Sequence, residues 1–540
     1  MVINMQKSLI IGLDGATWDI LIPLVNQGKL STLKKLIQSG TYGILESTIP
    51  PVTGGAWLSL ATGKTPGKTG VIDFLNRKDE SYKLYPVSSE DFKGQSFWDY
   101  LSKTGLKVGI FNYPMLFPPY KINGFMVSGL GAFIHDEITY PPTLKQELIQ
   151  IVDKYEIYID YHNKKYDNLD LFIQDLNRFL DKFERIIYYI VSKKYWDFLF
   201  LVFSVTDWVQ HIMWKHIDEN HPLYDPKHSP KYKQEFISFW RRIDSILGRV
   251  IEMIGEEDVI IFLVSDHGFG PNDQTFNLLK WLEMKGYLVR KKKFNKNLKI
   301  ILYKIFSTFS LLPKPIKRLI PSKAKTKVGS ALKVNIIGYI DFEKSKAYCL
   351  GHTIPFGAIY INAKNEKEME EIKSKLIQDL NNISKDVGKN VNVQIYELKK
   401  IYPGNKVDLL PDIIFTINNW RCVILEDTFD RPLFEEKPFS TRHTGSHRLN
   451  GIFLAYGKGI KKGYKIEGAK IYDIAPTILH IFGLPIPNDM DGRVLMEIFE
   501  PDSEFAKRKP VYVDPSYYDR LNERQKLKAK INELKLKKKI

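Results

Sequence analysis

Cysteine is almost absent from this sequence of 540 residues, which contains only Cys349 and Cys422. Two cysteines cannot build the disulfide network of a small secreted domain, and they favour a reducing compartment. No stretch approaches the roughly 18 consecutive apolar residues of a transmembrane helix. The apolar run SLIIGL near the start is too short for a secretory signal. We therefore predict an intracellular, cytoplasmic protein.

Acidic residues are missing from one long segment. Between Glu283 and Asp341 there is no Asp or Glu but there are 15 Lys and Arg, which account for most of the net charge of +17. Within it, KNLKIILYKIFSTFSLL alternates lysines with aliphatic and aromatic residues. This pattern is typical either of a solvated lysine-rich surface or of a helix in an anionic membrane interface. An anionic membrane surface is thus a candidate partner for residues 290–325. Nucleic acid is disfavoured because the segment lacks aromatics spaced for base stacking.

What the sequence does contain is a regular alternation of apolar strands and amphipathic helices. Near-continuous apolar runs such as SLIIGLD, KVGIFNYP, DFLFLVF and VIIFLV are separated by helical patterns. Strands of this kind are buried on both faces. We predict an α/β fold with a mostly parallel central sheet and helices on both faces. The predicted core comprises residues 1–283 and 406–500, interrupted by a basic segment and smaller α+β cap at 284–405 and followed by a basic helical tail at 501–540.

Three of these strands end in a carboxylate. Asp14 follows the first strand, Asp207 follows DFLFLVFSVT, and Asp266 follows VIIFLVS. His211 lies four residues after Asp207, and His267 directly follows Asp266. Taken alone, Asp14 or Asp207 with His211 fits a turn or helix cap equally well, whereas Asp266-His267, followed by Gly268, favours a ligand pair. Because ligands of parallel sheets bind outside the carboxyl ends of the strands, we expect these side chains to converge.

Two further histidines, His443 and His447, lie in STRHTGSHRLNG. Neutral imidazole together with carboxylate binds zinc, or a similar metal such as manganese. Several carboxylates that converge without a cation would repel one another. The number of ligands suits a pair of divalent metals roughly 4 Å apart, as in phosphoryl transfer. We predict two divalent metal ions, with zinc preferred and manganese as the alternative.

A hydroxyl nucleophile is available in STIPPVTGGAWLSLATG. Thr53 follows two prolines, precedes Gly54 and Gly55, and begins a short helical stretch. Taken alone, such a threonine is more often a helix cap. The glycines, however, allow close approach of a ligand, and a helix N-terminus attracts phosphate. A metal-coordinated hydroxyl loses its proton more easily, so Thr53 is the predicted nucleophile.

With these motifs in this order, the sequence resembles the alkaline phosphatase superfamily, and more closely its type I phosphodiesterase/nucleotide pyrophosphatase branch. The resemblance covers residues 8 to about 280 and about 405 to 500. Its motifs are GLDG, Thr53 ahead of TGKTPGKTG, Asp207-x-x-x-His211, SDHG, GSHR and the late YDIAPTILHIFGLPIPNDMDGR. Single motifs of this length are weak evidence, whereas their shared order is strong evidence.

The resemblance implies a ligand set and a mechanism. One metal would be held by the counterparts of Asp14, Thr53, Asp266 and His267, and the other by those of Asp207, His211 and His447. Thr53 would attack phosphorus in line and form a covalent intermediate that water hydrolyses. That branch usually has an Asn three residues after the nucleophile, where this sequence has Ala56.

The replacement by Ala56 leaves phosphate binding to other groups. It would fall to the backbone N–H groups of Gly54 and Gly55 or to a side chain that the sequence does not identify, and Asn112, at another strand end, is a further candidate to line the pocket. His443 is a candidate for a supporting role near the metals. His352 and His480 are interpreted as structural.

These inferences predict a metal-dependent phosphohydrolase or phosphodiesterase that acts on a phosphorylated small molecule or a lipid-linked phosphate. One alternative is a phosphomutase, which shares the ligand set. Another is a membrane-surface binding protein on an inactive phosphatase scaffold. A sulfatase is disfavoured because that branch uses an aldehyde derived from Cys or Ser.

Overall fold

The computed structural model describes residues 6–77, 82–132, 137–255, 259–291, 340–351, 353–426, 428–524, 527 and 531. Its central feature is a nine-stranded sheet. Five of the eight neighbouring strand pairs of this sheet are parallel, and three are antiparallel. In spatial order the strands are Tyr464–Lys470, Thr41–Glu46, Asn450–Tyr456, Val259–Val264, Lys7–Leu13, Phe198–Phe203, Val108–Tyr113, Gly124–Ser128 and Thr139–Tyr140.

Both faces of the sheet are covered by helices. In the strand Lys7–Leu13, Leu9 and Ile11 pack into one apolar core, whereas Ile10 packs into a second core on the opposite face. The near-continuous apolar runs of the sequence follow from this two-sided burial. The predicted α/β fold is therefore confirmed. The Leu9 side is covered by Trp18–Asn26, Ser31–Ser39, Leu144–Val152, Leu169–Lys193, Val205–Ile217 and Ser229–Ile254, and the Ile10 side by Thr53–Thr62, Phe97–Lys103 and Ile474–Ile481.

The strand register brings the predicted carboxylates to one edge. Lys7–Leu13 lies between two parallel neighbours, with Leu13 opposite Phe203 and Gly12 opposite Val264. The three strands therefore end at the same level of the sheet. The residues that follow them, including Asp14, Asp207 and Asp266, emerge side by side at its carboxyl edge.

A smaller four-stranded sheet joins Ala347–Tyr348, Gly357–Ile361, Ile413–Ile417 and Val393–Tyr396. Its strands are antiparallel, and Leu376 of the helix Glu366–Asn381 packs in the same apolar cluster as Ile413. The strand Ile413–Ile417 falls in the segment expected to return to the core, yet it pairs within this smaller sheet. A short apolar strand has the same pattern in either sheet, so the sequence could not distinguish them.

The predicted division of the chain, with a cap at 284–405, stays a prediction. Ala358 and Ile414 of the smaller sheet pack with Val52 and Ile72, so this sheet contacts the chain immediately before Thr53. The basic segment proposed for membrane contact, 290–325, lies outside the described residues except at its first two positions.

A short antiparallel ribbon carries the last motif of the site. Gly268–Pro271, which directly follows His267, pairs with Gly445–Arg448 and places Phe269 opposite His447. The strand Gln274–Asn277, which follows the ribbon in the sequence, belongs to a second four-stranded sheet. Its other strands are Thr353–Ile354, Cys422–Leu425 and Phe434–Glu435. The ribbon therefore attaches the GSHR motif to the SDHG motif.

The C-terminal segment returns to the core before the described residues end. Residues 517–524 are helical, and the ring of Tyr518 stacks on that of Tyr100 with centroids 4.5 Å apart. Of the basic helical tail predicted at 501–540, residues 525, 526, 528–530 and 532–540 lie outside the described residues. In the part of the chain that is described, no helix combines the length and apolar character needed to cross a bilayer.

Candidate active site

The predicted ligands form two buried clusters. The Thr53 cluster comprises Asp14, Thr53, Asp266 and His267, and the Asp207 cluster comprises Asp207, His211 and His447. In each cluster the histidine and carboxylate ligand atoms lie within 4.8 Å of one another. The rings of His267 and His447 stack with centroids 3.7 Å apart, so the two clusters adjoin.

The Asp207 cluster is built on a helix and on the ribbon. The helix Val205–Ile217 begins directly after the strand Phe198–Phe203. Asp207 and His211 lie four positions apart in the sequence and therefore share one face of this helix. His211 Nε2 and His447 Nε2 each lie 3.4 Å from Asp207 Oδ1. The two Nε2 atoms are 3.2 Å apart.

The Thr53 cluster gathers three strand ends and a helix N-terminus around His267. The Nε2 atom of His267 lies 3.3 Å from Asp266 Oδ2, 3.7 Å from Asp14 Oδ1 and 3.3 Å from Thr53 Oγ1. All four side chains are buried. The predicted nucleophile is thus in contact with the predicted ligands.

Backbone carbonyls fix the tautomers of the three histidines. The Nδ1 atom lies 2.8 Å from Gly445 O in His211, 3.0 Å from Gly268 O in His267 and 3.0 Å from Pro51 O in His447. A carbonyl oxygen only accepts, so each Nδ1 carries the proton and donates it. In its neutral form each ring therefore directs an Nε2 lone pair into its cluster, as in metal-ligating histidines.

Two of the three aspartates have one oxygen held by a donor. Asp14 Oδ2 accepts from Trp57 Nε1 at 3.2 Å, and Asp266 Oδ1 accepts from the Gly15 N–H at 3.1 Å. The facing oxygens, Asp14 Oδ1, Asp266 Oδ2 and Asp207 Oδ1, are buried and have no hydrogen-bond partner among the described residues. Acceptors that face lone pairs without a donor are costly to bury. The donor set therefore fits one divalent cation in each cluster.

The ionisation of the clusters reflects this excess of acceptors. Burial, followed by the charges of Asp266 and Asp207, raises the pKa of Asp14 well above its usual value. Burial also raises the pKa of Asp266 to about 7 and lowers those of His267 and His447 to about 4. A divalent cation would relieve the penalty on the two carboxylates, and histidines with such low pKa values are neutral and free to bind it.

Asp207 and His211 behave as a pair. Burial opposes ionisation of Asp207, but His211 and His447 outweigh it and lower the pKa of the carboxyl well below its usual value. Burial likewise opposes protonation of His211, and the carboxylate of Asp207 outweighs it, so that the pKa of His211 is raised. The Asp207 carboxylate is therefore the most readily ionised of the three.

The helix Thr53–Thr62 presents its N-terminus to the site. Its first intrahelical bond runs from the Ala56 N–H to Val52 O at 2.9 Å, so the N–H groups of Thr53, Gly54 and Gly55 have no intrahelical acceptor. A Cβ on Gly54 would lie 2.6 Å from backbone atoms of Asp73, and one on Gly55 would lie 3.0 Å from the Ile72 Cα. A side chain at Gly54 would therefore clash with the backbone and one at Gly55 would be in tight contact, and the role of both glycines in substrate binding stays a prediction.

Asn112 makes no side-chain hydrogen bond to either cluster among the described residues. It has a positive φ of 60°, and its Nδ2 donates to Val202 O at 2.8 Å. Its role in substrate binding stays a prediction. His480 is buried in the helix Ile474–Ile481 and its Nε2 lies 2.8 Å from Phe505 O, which is a structural contact. His352 lies outside the described residues.

Several residues that shape the site were not predicted from the sequence. Trp57 holds Asp14 and lies one helical turn after Thr53, so helical periodicity could have identified it. Arg448 donates to the carbonyls of His447 at 2.8 Å and Trp420 at 2.9 Å and so holds the ribbon. The contact of His443 with His162 spans 281 residues and has no local signal.

The sequence matches one protein-family model over most of its length and individual known proteins over short stretches. The model of the type I phosphodiesterase/nucleotide pyrophosphatase family matches residues 8–446. The 2,3-bisphosphoglycerate-independent phosphoglycerate mutase of Bacteroides thetaiotaomicron is 36% identical over 81 residues, which is 15% of this chain and 15% of that protein. That of Laribacter hongkongensis is 33% identical over 87 residues, or 16% of this chain and 15% of that protein. The chain thus aligns with only 15% of the length of these curated relatives.

Among solved structures, murine ectonucleotide pyrophosphatase/phosphodiesterase 5 is 13% identical with a TM-score of 0.48, covering 92% of this chain and 100% of that one. The human protein gives the same identity and TM-score, covering 91% and 98%. An inactive variant of the murine protein, solved in complex with AMP, matches equally. Because the family match extends over most of the sequence, this chain belongs to the type I phosphodiesterase/nucleotide pyrophosphatase family.

Proposed function

We propose that this chain is a metal-dependent phosphohydrolase or phosphodiesterase with Thr53 as its nucleophile. One observation carries the proposal. The Thr53 hydroxyl lies 3.3 Å from His267 Nε2, in the cluster that also contains the unpaired oxygens Asp14 Oδ1 and Asp266 Oδ2, and this cluster adjoins the Asp207 cluster. Family membership supports it independently.

In this proposal the seven residues hold two divalent cations, and each residue has a defined task. Asp14, Asp266 and His267, with Thr53, supply the first set of ligands, and Asp207, His211 and His447 supply the second. Bound divalent cations supply Lewis-acid chemistry, which stabilises negative charge on attacking and leaving oxygens. Zinc is the preferred metal because imidazole and carboxylate suit it, and manganese is the alternative.

Thr53 carries the covalent chemistry. Its Oγ1 forms a bond to phosphorus as the bond to the leaving oxygen breaks, the hydroxyl proton is released, and the departing alcohol takes up one proton. Water then hydrolyses the phosphothreonine and restores the hydroxyl. The helix N-terminus and the N–H groups of Gly54 and Gly55 bind the oxygens of the phosphate.

A phosphomutase is the second candidate, since the short sequence matches are to proteins named phosphoglycerate mutases. A mutase would return the phosphoryl group from Thr53 to the alcohol product. A hydrolase would release inorganic phosphate or a phosphomonoester. Product analysis by phosphorus NMR separates the two reactions.

The substrate in this proposal is a phosphorylated small molecule or a lipid-linked phosphate. We also propose that the protein is cytoplasmic and attaches to an anionic membrane surface through residues 290–325. An inactive scaffold with membrane-binding activity alone is the remaining alternative, and it predicts vesicle binding without turnover.

The test is hydrolysis of bis-p-nitrophenyl phosphate and p-nitrophenyl phosphate by the zinc-loaded and manganese-loaded protein. Thr53→Ala should lower kcat by about 1,000-fold or more, because it removes the attacking oxygen. Thr53→Ser retains a hydroxyl and is the matched control, which should keep measurable activity. Equal activities of the Ala variant and the wild-type protein would refute the nucleophile assignment.

A further inference from the structure

The two clusters define a direction for the reaction, given the proposed function on which this inference rests. Thr53 belongs to one cluster, so the attacking oxygen approaches phosphorus from that side. In an in-line displacement the leaving oxygen departs on the opposite side. The Asp207 cluster adjoins the Thr53 cluster through the stacked rings of His267 and His447. The leaving group therefore departs past Asp207, His211 and His447.

His443 stands beside this exit. Its ring centroid lies 5.0 Å from that of His211. The segment that carries it is fixed, because the Thr444 N–H donates to His211 O at 2.8 Å and Asn272 Nδ2 donates to His443 O at 3.1 Å. His443 therefore has a defined position next to a predicted metal ligand.

His443 is paired with His162 from a distant part of the chain. His443 Nε2 lies 3.1 Å from His162 Nδ1, and their rings are nearly parallel with centroids 4.8 Å apart. Tyr161 stacks on His162 at 4.4 Å, and Arg442 Nη1 donates to His162 O at 2.9 Å. Both contacts fix the position of His162.

The hydrogen-bonding capacity of this pair is only half used. Two neutral imidazoles have two N–H donors and two lone pairs, and their mutual contact uses one of each. Their mutual contact is the only side-chain hydrogen bond of either residue among the described residues, so His443 Nδ1 and His162 Nε2 remain available to a ligand or water. His162 is exposed and His443 is half-buried, so a ligand can reach them. One donor and one acceptor remain, and a hydroxyl group can pair with either because it both donates and accepts.

We propose that His443 and His162 bind the leaving group of the substrate through a hydroxyl near the scissile oxygen. The substrate class is then a phosphate ester of a polyhydroxy alcohol, such as glycerol or a sugar, rather than an ester of a simple alkyl alcohol. A site that hydrogen-bonds a substrate hydroxyl discriminates strongly against an analogue that lacks it.

The experiment compares glyceryl and n-propyl phosphates, as monoesters and as methyl diesters, with the full-length zinc-loaded protein. The two alcohols differ only in their hydroxyl groups. Wild-type kcat/KM should favour the glyceryl ester by about tenfold or more, and His162→Ala and His443→Asn should each reduce that ratio by about tenfold. His228→Ala is the control, because this exposed histidine pairs with Asp225 and should leave the ratio unchanged.

A binding measurement provides a second readout that does not require turnover. In a Thr53→Ala background, calorimetry should give a lower Kd for the glyceryl ester than for the propyl ester, and adding His162→Ala should remove the difference. His162 is exposed, so its variant tests the pair even where the His443 variant fails to fold. No hydrolysis of any ester by the wild-type protein would refute the proposed function. Hydrolysis without a glyceryl preference, or a preference that survives in both variants, would overturn the leaving-group assignment.

Discussion

Replacing Trp57 with Phe should weaken metal binding at the Thr53 cluster. The Trp57 Nε1–H donates to Asp14 Oδ2 at 3.2 Å, which leaves Oδ1 directed toward His267. Phe retains an aromatic ring in the same core but cannot donate. The bond to a carboxylate contributes about 1.5–3 kcal/mol, and loss of a residue that orients a ligand typically lowers metal affinity by about 10–100-fold.

The assay is a competition titration of zinc against a chelator, combined with thermal unfolding of both protein forms. Trp98→Phe is the matched control: Trp98 is also fully buried in the same apolar core, and its Nε1 donates to Tyr120 Oη at 3.0 Å. Both variants should lower the Tm of the metal-free protein, since each removes buried surface and a hydrogen bond. Only the Trp57 variant should lower zinc affinity.

Two results would refute this reasoning. Zinc affinity of the Trp57→Phe protein within about twofold of wild type would mean that the indole does not orient Asp14. Equal losses of affinity in the two variants would mean that general loosening of the core, rather than the lost donor, is the cause.

Two further predictions rest on the structure, and a third rests on the sequence pattern of residues 290–325. Gly54→Ala should destabilise the fold by about 1–3 kcal/mol, because its Cβ would lie 2.6 Å from backbone atoms of Asp73; an unfolding midpoint in urea equal to wild type would contradict this. Burial lowers the pKa of His216 to about 4, so between about pH 6.5 and pH 4 the unfolded chain binds a proton at this residue more readily than the folded protein does. As the pH falls through this range, the free energy of unfolding of the wild type should decrease by up to about 1.4 kcal/mol per pH unit more than that of His216→Asn. Parallel curves of unfolding free energy against pH would contradict this. Deletion of 290–325 should abolish binding to anionic vesicles but leave hydrolysis of a small soluble ester largely intact, and cosedimentation of the deleted protein with vesicles would contradict the membrane proposal.

The sheet and the convergence of its carboxylates were predictable because they depend on local patterns. Strands buried on both faces are apolar throughout, and parallel strands end at one edge. The position of Asp14, Asp207 and Asp266 after three such strands was therefore enough to predict that they lie close together. Asp207 and His211 needed only the helical repeat.

Features set by contacts between distant segments could not be predicted from the sequence. The placement of Ile413–Ile417 in the smaller sheet depends on its partners, and its own pattern fits both sheets. The Nδ1 atoms of His447 and His211 are held by carbonyl groups 396 and 234 residues away. Carbonyl groups carry no residue-type signal, so the tautomers that make these histidines suitable ligands are visible only in three dimensions.

Metal content per chain tests the central claim most directly. Wild-type protein, dialysed after loading with zinc, should contain about two equivalents, because the two clusters are separate and each fits one cation. His447→Asn should retain about one equivalent, since it removes a ligand from the Asp207 cluster alone. Protein that retains no metal, or a His447→Asn variant with undiminished content, would contradict the proposed two-metal site.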